Sequence, residues 1–471
     1  MWRARCELWG TWTDDGGRAD ARTVVVLCYV LSYDDLARDD AWSVPVEDGV
    51  TLTIGRDDDA VVPGPPTSGG EQRIGLGDRW ASSKHASLEV LDGGGLLSDL
   101  GSRNGTWVNG EKIAQRIVQD RDLVEIGRSL FVVRRVRADL AERARQRDRR
   151  LGPTRTLSPE VARLVDDLGR IARSRDPVLV LAETGAGKES LAETVHELSG
   201  RKGPLVRVDA GAIPESLFES TFLGHRKGAF TGADAPRTGV IAQADRGTLF
   251  LDEVGNLPPP AQAKLLRAIE TGLVTPVGAN EPDKVDVRWI AATNRDLFGD
   301  AGFRADLLRR LAGYVARVPP LRDRREDLGT IAAHVLREAD ARKAEITTAA
   351  ARRLLHGPLP GNVRQLRAAL RSAVLLAGGA PIDVEHIPED LRGDADGYVA
   401  SVRPGSLPPG PNGPPPGGGK ARRPTAEELT RVLADAHGNV VHAAEHLGTH
   451  PRQVYRWIER YGLDLEALRG G

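Results

Sequence analysis

Residues 178–188 run from the apolar stretch Val178 to Leu181 into Ala182, Glu183, Thr184, Gly185, Ala186, Gly187 and Lys188. Glycine lets a backbone approach closely, so the N–H groups of such a loop can point at phosphate oxygens while the lysine supplies charge to the outer phosphates. Ala182 stands where the common phosphate-loop pattern has its first glycine, and Glu189 follows the lysine where a hydroxyl usually sits. The loop alone therefore does not separate a nucleotide site from an ordinary turn. A second apolar run, Thr248 to Asp252, ends in the adjacent acids Asp252 and Glu253. Ligands of open α/β sheets sit at the carboxyl ends of strands, which brings both acids to the phosphates. Asp252 can hold Mg²⁺ through its water shell, and Glu253 can polarise a water for in-line attack on a γ-phosphate. A third run, 285–292, ends in Thr293 and Asn294, an amide able to sense that phosphate or orient the water; taken singly, such an asparagine is a turn residue. Arg304 and Arg310 are six apart and do not share a helical spot. One or both can act as an arginine finger in a neighbouring subunit's site, with solvated helix arginines as the plainer alternative.

Such residues work only if a sheet delivers them to one edge. After Leu157 the apolar runs 178–181, 249–251 and 287–292 alternate with helical patterns such as 261–270, which predicts a mainly parallel sheet with helices on its faces. Ahead of it, short β-branched runs (50–54, 86–91 and 129–133) are divided by glycine, aspartate and proline clusters, so 23–136 is expected as an all-β domain. Within it, 61–78 is rich in proline and glycine and is expected as a long surface loop. Arginine, alanine and acids dominate 134–155, so 137–156 is expected as a charged helical connector. Proline, glycine and serine dominate 393–424, which is expected to be a disordered tether. The final segment, 425–471, is helical by period, with Leu429, Val432, Leu433 and Ala436 on one stripe.

Bulk properties set the outer bounds. A chain of 471 residues is too long for one core and suits about three units. Its 65 lysines and arginines nearly balance 66 acids, so any DNA contact must be local. Cys6 and Cys28 have no metal-ligand spacing and form no disulfide framework; structural thiols in a reducing cytoplasm are expected. The longest apolar stretch, 24–31, is far short of the ~20 residues of a membrane helix, and no charged leader with a cleavage site precedes it. No membrane partner is expected.

Between the two nucleotide motifs stand Leu223, Gly224 and His225, then Gly228, Ala229, Phe230, Thr231, Gly232 and Ala233. Physically this is a small-residue loop with one exposed aromatic, which an ordinary turn also provides. As a string it matches the GAFTGA signature and resembles the sigma-54 activator ATPases, the bacterial enhancer-binding proteins of the AAA+ class. The resemblance covers 157–391 through Ile213-Pro-Glu-Ser-Leu, Gln243-Ala-Asp, Val318-Pro-Pro-Leu-Arg-Asp-Arg-Arg-Glu-Asp and Leu359-Pro-Gly-Asn-Val-Arg-Gln-Leu. It implies an α/β P-loop AAA+ domain over 157–392, with a helical lid over about 322–392. On that resemblance Glu183, Thr184, Gly185, Ala186, Gly187, Lys188 and Glu189 bind ATP, a glutamate after the lysine being usual in the family. Asp252 and Glu253 form the Walker B pair, Asn294 is the first sensor, Arg304 and Arg310 fall on the arginine-finger positions and Arg364 on the second sensor. Gly228 to Ala233 would grip sigma-54, with Phe230 and Thr231 at the tip. The resemblance further implies a ring, usually a hexamer, whose ATP hydrolysis turns the closed polymerase–promoter complex into an open one. Three departures stand out: Ala182, Asp209 where the family usually has asparagine, and Val240, Ile241 and Ala242 in place of arginine-phenylalanine-glutamate. The family asparagine is thought to hold the Walker B glutamate away from its catalytic pose. Unless protonated, an aspartate cannot donate that hydrogen bond and would repel Glu253, so altered coupling or basal rate is expected.

The β block carries Ile54, Gly55 and Arg56, then Ser82, Ser83, Lys84, His85 and Ala86, then Asp99 with Arg103, Asn104, Gly105 and Asn109. These resemble the three signature loops of a forkhead-associated (FHA) domain, a β-sandwich that binds phosphothreonine peptides. Arg56 offers a charged fork for phosphate, Ser82 a hydroxyl and Asn104 an amide for the peptide backbone, with Ser83 and Arg103 completing the set. His85 is usually structural in that family. In the tail, Ala443, Ala444 and Leu447 pack one helix, Gly448 makes a turn, and Val454, Trp457 and Ile458 pack the next, a helix-turn-helix spacing. It resembles the Fis-type DNA-binding domain, whose Arg452, Gln453 and Arg456 would face the major groove or its phosphates. The expected protein is a multidomain sigma-54-dependent activator using ATP and Mg²⁺. Its expected partners are sigma-54 RNA polymerase, enhancer DNA, a phosphothreonine protein or peptide, and copies of itself. The alternative is a weakly or non-hydrolysing phosphopeptide- and DNA-binding scaffold, motivated by Asp209 and residues 240–242.

Overall fold

The structure, a computed structural model, describes residues 23–57, 70–91, 94–145, 150–300, 302–341, 343–391, 424–435 and 461. Two compact units divide the chain, Met1–Val402 and Arg403–Gly471. The larger unit begins with a β-sandwich. One sheet has six strands in the order Trp42–Val46, Thr23–Ser32, Ser129–Arg137, Leu123–Ile126, Thr106–Val108, Glu111–Ile113. The other has five, Glu71–Leu76, Thr51–Arg56, Ala86–Leu91, Gly94–Asp99 and Gln115–Val118. Ala86–Leu91 alternates buried and half-buried residues, as a strand with one core face must. Glu71–Leu76 corrects the expectation of a loop over 61–78, since it pairs in parallel with Thr51–Arg56. Only its last three residues, Ile74, Gly75 and Leu76, are buried, so it lacks the alternation that marks a strand.

The AAA+ part holds a five-stranded parallel sheet in the order Leu205–Asp209, Thr248–Asp252, Arg288–Thr293, Val178–Leu181, Tyr314–Arg317. Its central strands are apolar between polar ends, as strands covered by helices on both faces must be; Arg288–Thr293 is buried at every position. Three further helices, Leu328–Glu338, Thr348–His356 and Asn362–Ala377, pack together as the lid. Between sandwich and AAA+ sheet lie a helix, Ala138–Arg145, and the short paired strands Arg150–Leu151 and Thr154–Arg155. In the smaller unit the helix Ala426–Asp435 buries Leu429 and Leu433. It opens on a capping box, with Thr425 N–H donating to Glu428 and Glu428 N–H to the Thr425 hydroxyl.

The sandwich and the lid share one core. Val25, Leu27 and Tyr29 of Thr23–Ser32 face the sandwich interior, while Val26, Cys28 and Val30 belong with Leu328, Ile331, Val335 and Leu355 of the lid. Val132 and Leu130 of the adjacent strand join them. The lid helix comes so close that a Cβ on Gly329 would fall 1.8 Å from the Val30 carbonyl oxygen. Polar groups stitch the same surface: Arg352 of the lid donates to both carboxylate oxygens of buried Glu125 at 2.9 and 3.1 Å, and its guanidinium lies 4.1 Å from the Trp107 ring centre. His356 is buried beside them. Burial, then the Arg325 and Arg352 charges, push its pKa down from 6.5 to about 3. Glu125, 3.7 Å away, is already engaged by Arg352 and does not offset this. The folded chain therefore binds this proton less readily than the unfolded one, and the His356 contribution to stability is expected to fall as pH drops below about 6.5. Burial raises the Glu326 pKa to about 7, which acts in the opposite sense, so the measure is the difference between two proteins: in thermal melts between pH 7.5 and 5, His356→Gln should gain stability relative to the unaltered chain as pH falls.

Candidate functional site

The strand order decides the nucleotide site. Val178–Leu181 delivers the glycine loop, Thr248–Asp252 delivers the two acids, and Arg288–Thr293 lies between them, so Asn294 emerges between loop and acids. Gly185 and Gly187 have φ of 75° and 106°, which only glycine adopts freely. The helix Lys188–Ser199 starts at Gly187 with no side-chain cap, leaving its first N–H groups open. Lys188 Nζ is 3.2 Å from Asp252 Oδ1 and 2.6 Å from Glu253 Oε1. Glu253 itself has φ 50°, a left-handed conformation that strains a non-glycine residue by about 1 kcal/mol or more. Asn294 Nδ2 donates to the Thr184 hydroxyl at 3.2 Å. Among the described residues no cluster of three or more His, Cys, Asp or Glu side chains could cage a metal. Asp252 and Glu253 offer the carboxylate oxygens that a Mg²⁺ ion takes.

The loop is also held from outside. Arg322 grips the Glu183 carboxylate with two bonds of 2.6 and 2.8 Å, and Asn362 adds a third at 3.1 Å. These bonds hold the Glu183 pKa low, the Arg322 hydrogen bond first among the causes. Arg324, almost fully buried, donates to the Ala186 carbonyl at 2.6 Å, Asn362 Nδ2 to the Thr184 carbonyl, and Val363 N–H to the Gly185 carbonyl. A Cβ on Gly185 would meet the Gly361 carbonyl at 2.4 Å. Arg364, exposed on the first turn of the lid helix, sits against the same glycine.

The small-residue loop at 228–233 is closed by Gly228 N–H to the Ala233 carbonyl at 2.8 Å and Ala233 N–H to the Phe230 carbonyl at 3.0 Å. Phe230 and Thr231 are exposed, and the Phe230 ring meets His225 edge-on at 4.9 Å. In the sandwich, Arg56, Arg79, Trp80, Ser82, Arg103 and Asn104 line an open cavity of about 610 Å³, with Ala81 and Ser83. Buried His85 fixes its floor, accepting from Ser82 N–H at Nδ1 and facing the Gly105 carbonyl through Nε2 at 3.2 Å. Asn104 Nδ2 is already given to the Trp80 carbonyl at 2.7 Å, and the Ser82 hydroxyl accepts from Arg103 N–H at 3.1 Å. The cavity lining contains three arginines and no carboxylate. It is built for an anion.

Residues 155–316 match the family described as the Sigma-54 interaction domain, 322–401 the AAA+ ATPase lid domain, 52–127 the FHA domain, and 426–461 the Bacterial regulatory protein, Fis family. The transcriptional regulatory protein GlrR of Escherichia coli is 36% identical over 323 residues, covering 67% of this chain and 69% of GlrR. The chain belongs to the sigma-54 activator family. The regulatory protein LuxO of Vibrio cholerae is 42% identical over 320 residues, which cover 64% of this chain and 59% of LuxO. A solved structure of NtrX from Brucella abortus in complex with ATP is 25% identical, with a TM-score of 0.47, over 66% of this chain and 70% of that one.

Within this sigma-54 activator, Lys188, Asp252, Glu253, Asn294 and Thr184 come together, and Arg364 borders the loop. Glu189 is exposed on the first helical turn, and the Glu183 side chain is turned to the lid rather than free for phosphate. Arg304 and Arg310 are exposed and make no contact with this cluster among the described residues; Arg304 pairs with Asp306 at 2.7 Å. Asp209 lies in register with Asp252, but its Oδ1 accepts from Gly211 N–H at 2.8 Å, and Glu253 is bound by Lys188. Residues 240–242 form the helix Val240–Gln243. Arg452, Gln453 and Arg456 fall outside the described residues. Sequence reasoning missed Arg79 and Trp80 in the sandwich cavity, and Arg322, Arg324 and Asn362 behind the phosphate loop. The signal was present in the charge-dense run after Pro319 and Pro320, but pairing with residues some 140 positions away cannot be read from spacing. Among the described residues, no helix is long and apolar enough to cross a membrane.

Proposed function

We propose that this chain hydrolyses ATP in a ring and uses the cycle to open promoters held by sigma-54 RNA polymerase. The observation that carries the reading is the meeting of Lys188, Asp252 and Glu253 at the strand ends beside two left-handed glycines, in a chain whose family is that of sigma-54 activators. Bound ATP would draw Lys188 towards its phosphates and release Glu253 to polarise the attacking water, with Asn294 orienting it. Asp252 would hold Mg²⁺ through waters, and the ion would neutralise charge on the β- and γ-phosphates. Arg304 and Arg310, unspent in their own site, suit the site of a neighbouring subunit in a hexamer. The exposed tip at Phe230 and Thr231 suits the sigma-54 contact. The FHA cavity would take a phosphothreonine peptide from a partner or from the chain itself, and Arg452, Gln453 and Arg456 would contact enhancer DNA in the cytoplasm.

Glu253→Gln should lower steady-state ATP turnover by about 100-fold or more, since it removes the base while keeping the shape. Equal rates for the two proteins would instead favour the non-hydrolysing scaffold, for which the Lys188–Glu253 pair is the one supporting contact. Thr231→Ala should leave turnover largely intact yet stop ATP-dependent open-complex formation on a sigma-54 promoter; normal transcription by that variant would falsify the loop assignment. For the sandwich, Arg56→Ala should weaken a phosphothreonine peptide by about tenfold or more relative to the plain peptide, the loss of a charge-assisted bond. Calorimetric titration of both peptides measures it.

A further inference from the structure

The buried polar contact between sandwich and AAA+ part is not explained by peptide binding or by hydrolysis. Arg134, on the last strand of the sandwich, is 1% exposed and meets three carboxylates from three segments. Its Nε lies 3.1 Å from Asp120 of the sandwich, one terminal nitrogen 2.6 Å from Glu160 at the start of the helix Pro159–Ile171, and the other bonds Glu326. Burial opposes its charge, but Glu326, Glu160 and Asp120 together hold it fully protonated. Glu326 is wholly buried, and its second oxygen finds no other partner. It sits in a tight double turn, Leu321–Asp323 followed by Arg325–Asp327. The same turn carries Arg322, which grips Glu183, and Arg324, which holds the Ala186 carbonyl. Asp327 pins the turn's other end to Thr156 and the N–H groups of Leu157 and Ser158. Arg121 of the sandwich adds a bond to Asp323 at 2.8 Å.

We propose that Arg134 is a positioning residue of the nucleotide site: through Glu326 it holds the turn 321–327, so that Arg322 and Arg324 keep the phosphate loop in its binding shape. The sandwich is then a structural part of the ATPase as well as its sensor. This rests on the ATP reading above. Two bonds separate Arg134 from the loop backbone on this route, Arg134 to Glu326 and, two residues earlier in the turn, Arg324 to Ala186. A shift of the sandwich is thus transmitted by charge pairs that have no solvent to replace them.

The test compares two double substitutions in the full chain, each neutralising one buried cross-domain pair: R134Q/E326Q, which leaves the carboxylates of Glu160 and Asp120 to the solvent that partly reaches them, and R352Q/E125Q. Both loosen the sandwich–lid contact, but only the first removes a side chain of the turn itself; the second bears on it only through the helix Thr348–His356, whose Leu355 carbonyl accepts from Arg325. Melting temperatures and the affinity for a fluorescent ATP analogue are measured together, at a temperature where all proteins are folded. R134Q/E326Q should bind nucleotide about tenfold more weakly, and R352Q/E125Q within about twofold of the unaltered chain, even with similar losses in melting temperature. Unchanged affinity in R134Q/E326Q, or equal weakening in both, would overturn the proposal. Should R134Q/E326Q not fold, R134K takes its place, since an ammonium keeps the charge but cannot span three carboxylates; the same weakening is expected, and unchanged affinity overturns the proposal. Absence of nucleotide binding by the unaltered chain would sink the ATP reading itself, a separate outcome.

Discussion

The strand Thr23–Ser32 is buried on both faces, and the joining of the sandwich to the lid follows from that constraint. A strand that touches water on one side alternates apolar with polar residues, whereas Thr23–Ser32 is apolar at eight consecutive positions. Three of those side chains, Val25, Leu27 and Tyr29, complete the sandwich, and the other five join the core shared with the lid. Backbone fits this closely at Gly329, where no side chain larger than hydrogen has room. Once the surfaces close, the polar groups between them lose water and must pair with one another. Arg134 with its carboxylates and Arg352 with Glu125 meet that requirement, while His356 does not: burial holds it neutral, and its Nε2 has no hydrogen-bond partner among the described residues.

The nucleotide site shows the same economy at shorter range. Asp252, Glu253 and Asn294 come from the ends of parallel strands, and the glycine loop beside them is shaped from behind by Arg322, Arg324 and Asn362. Glu183 belongs to that support, its carboxylate engaged by arginine and amide donors. Glu253, by contrast, carries backbone strain and a salt link to Lys188.

In the sandwich, the recognition loops are ordered by groups that never face the ligand. His85 and Asp99 bind loop backbone, Asp99 accepting from the N–H groups of Gly101 and Ser102, and Asp99 also accepts from the Thr106 hydroxyl. That leaves the guanidinium groups of Arg56, Arg79 and Arg103 around the cavity without a carboxylate among its lining residues. Trp107, three residues beyond Asn104, touches Arg352 of the lid. The strand that follows this loop, Thr106–Val108, is therefore in direct contact with the lid.

The amino-acid sequence alone determined the fold classes of the chain and its parallel-sheet core, and it singled out Lys188, Asp252, Glu253 and Asn294, which the structure brings together, because glycine loops and strand-terminal acids are local patterns. It also marked Arg56, Ser82 and Asn104, whose spacing follows from loops joining neighbouring strands. The strand Glu71–Leu76 was hidden because only its end is buried, and the lid-facing side of Thr23–Ser32 was hidden although its unbroken apolar run announced a second buried face. Only the tertiary structure decided that Asp209 caps its own turn, that Glu183 serves the lid, and that Arg134 joins the sandwich to the turn behind the phosphate loop. These are pairings over long sequence separations, chosen by which surfaces exclude water from one another, and no periodicity along the chain encodes them.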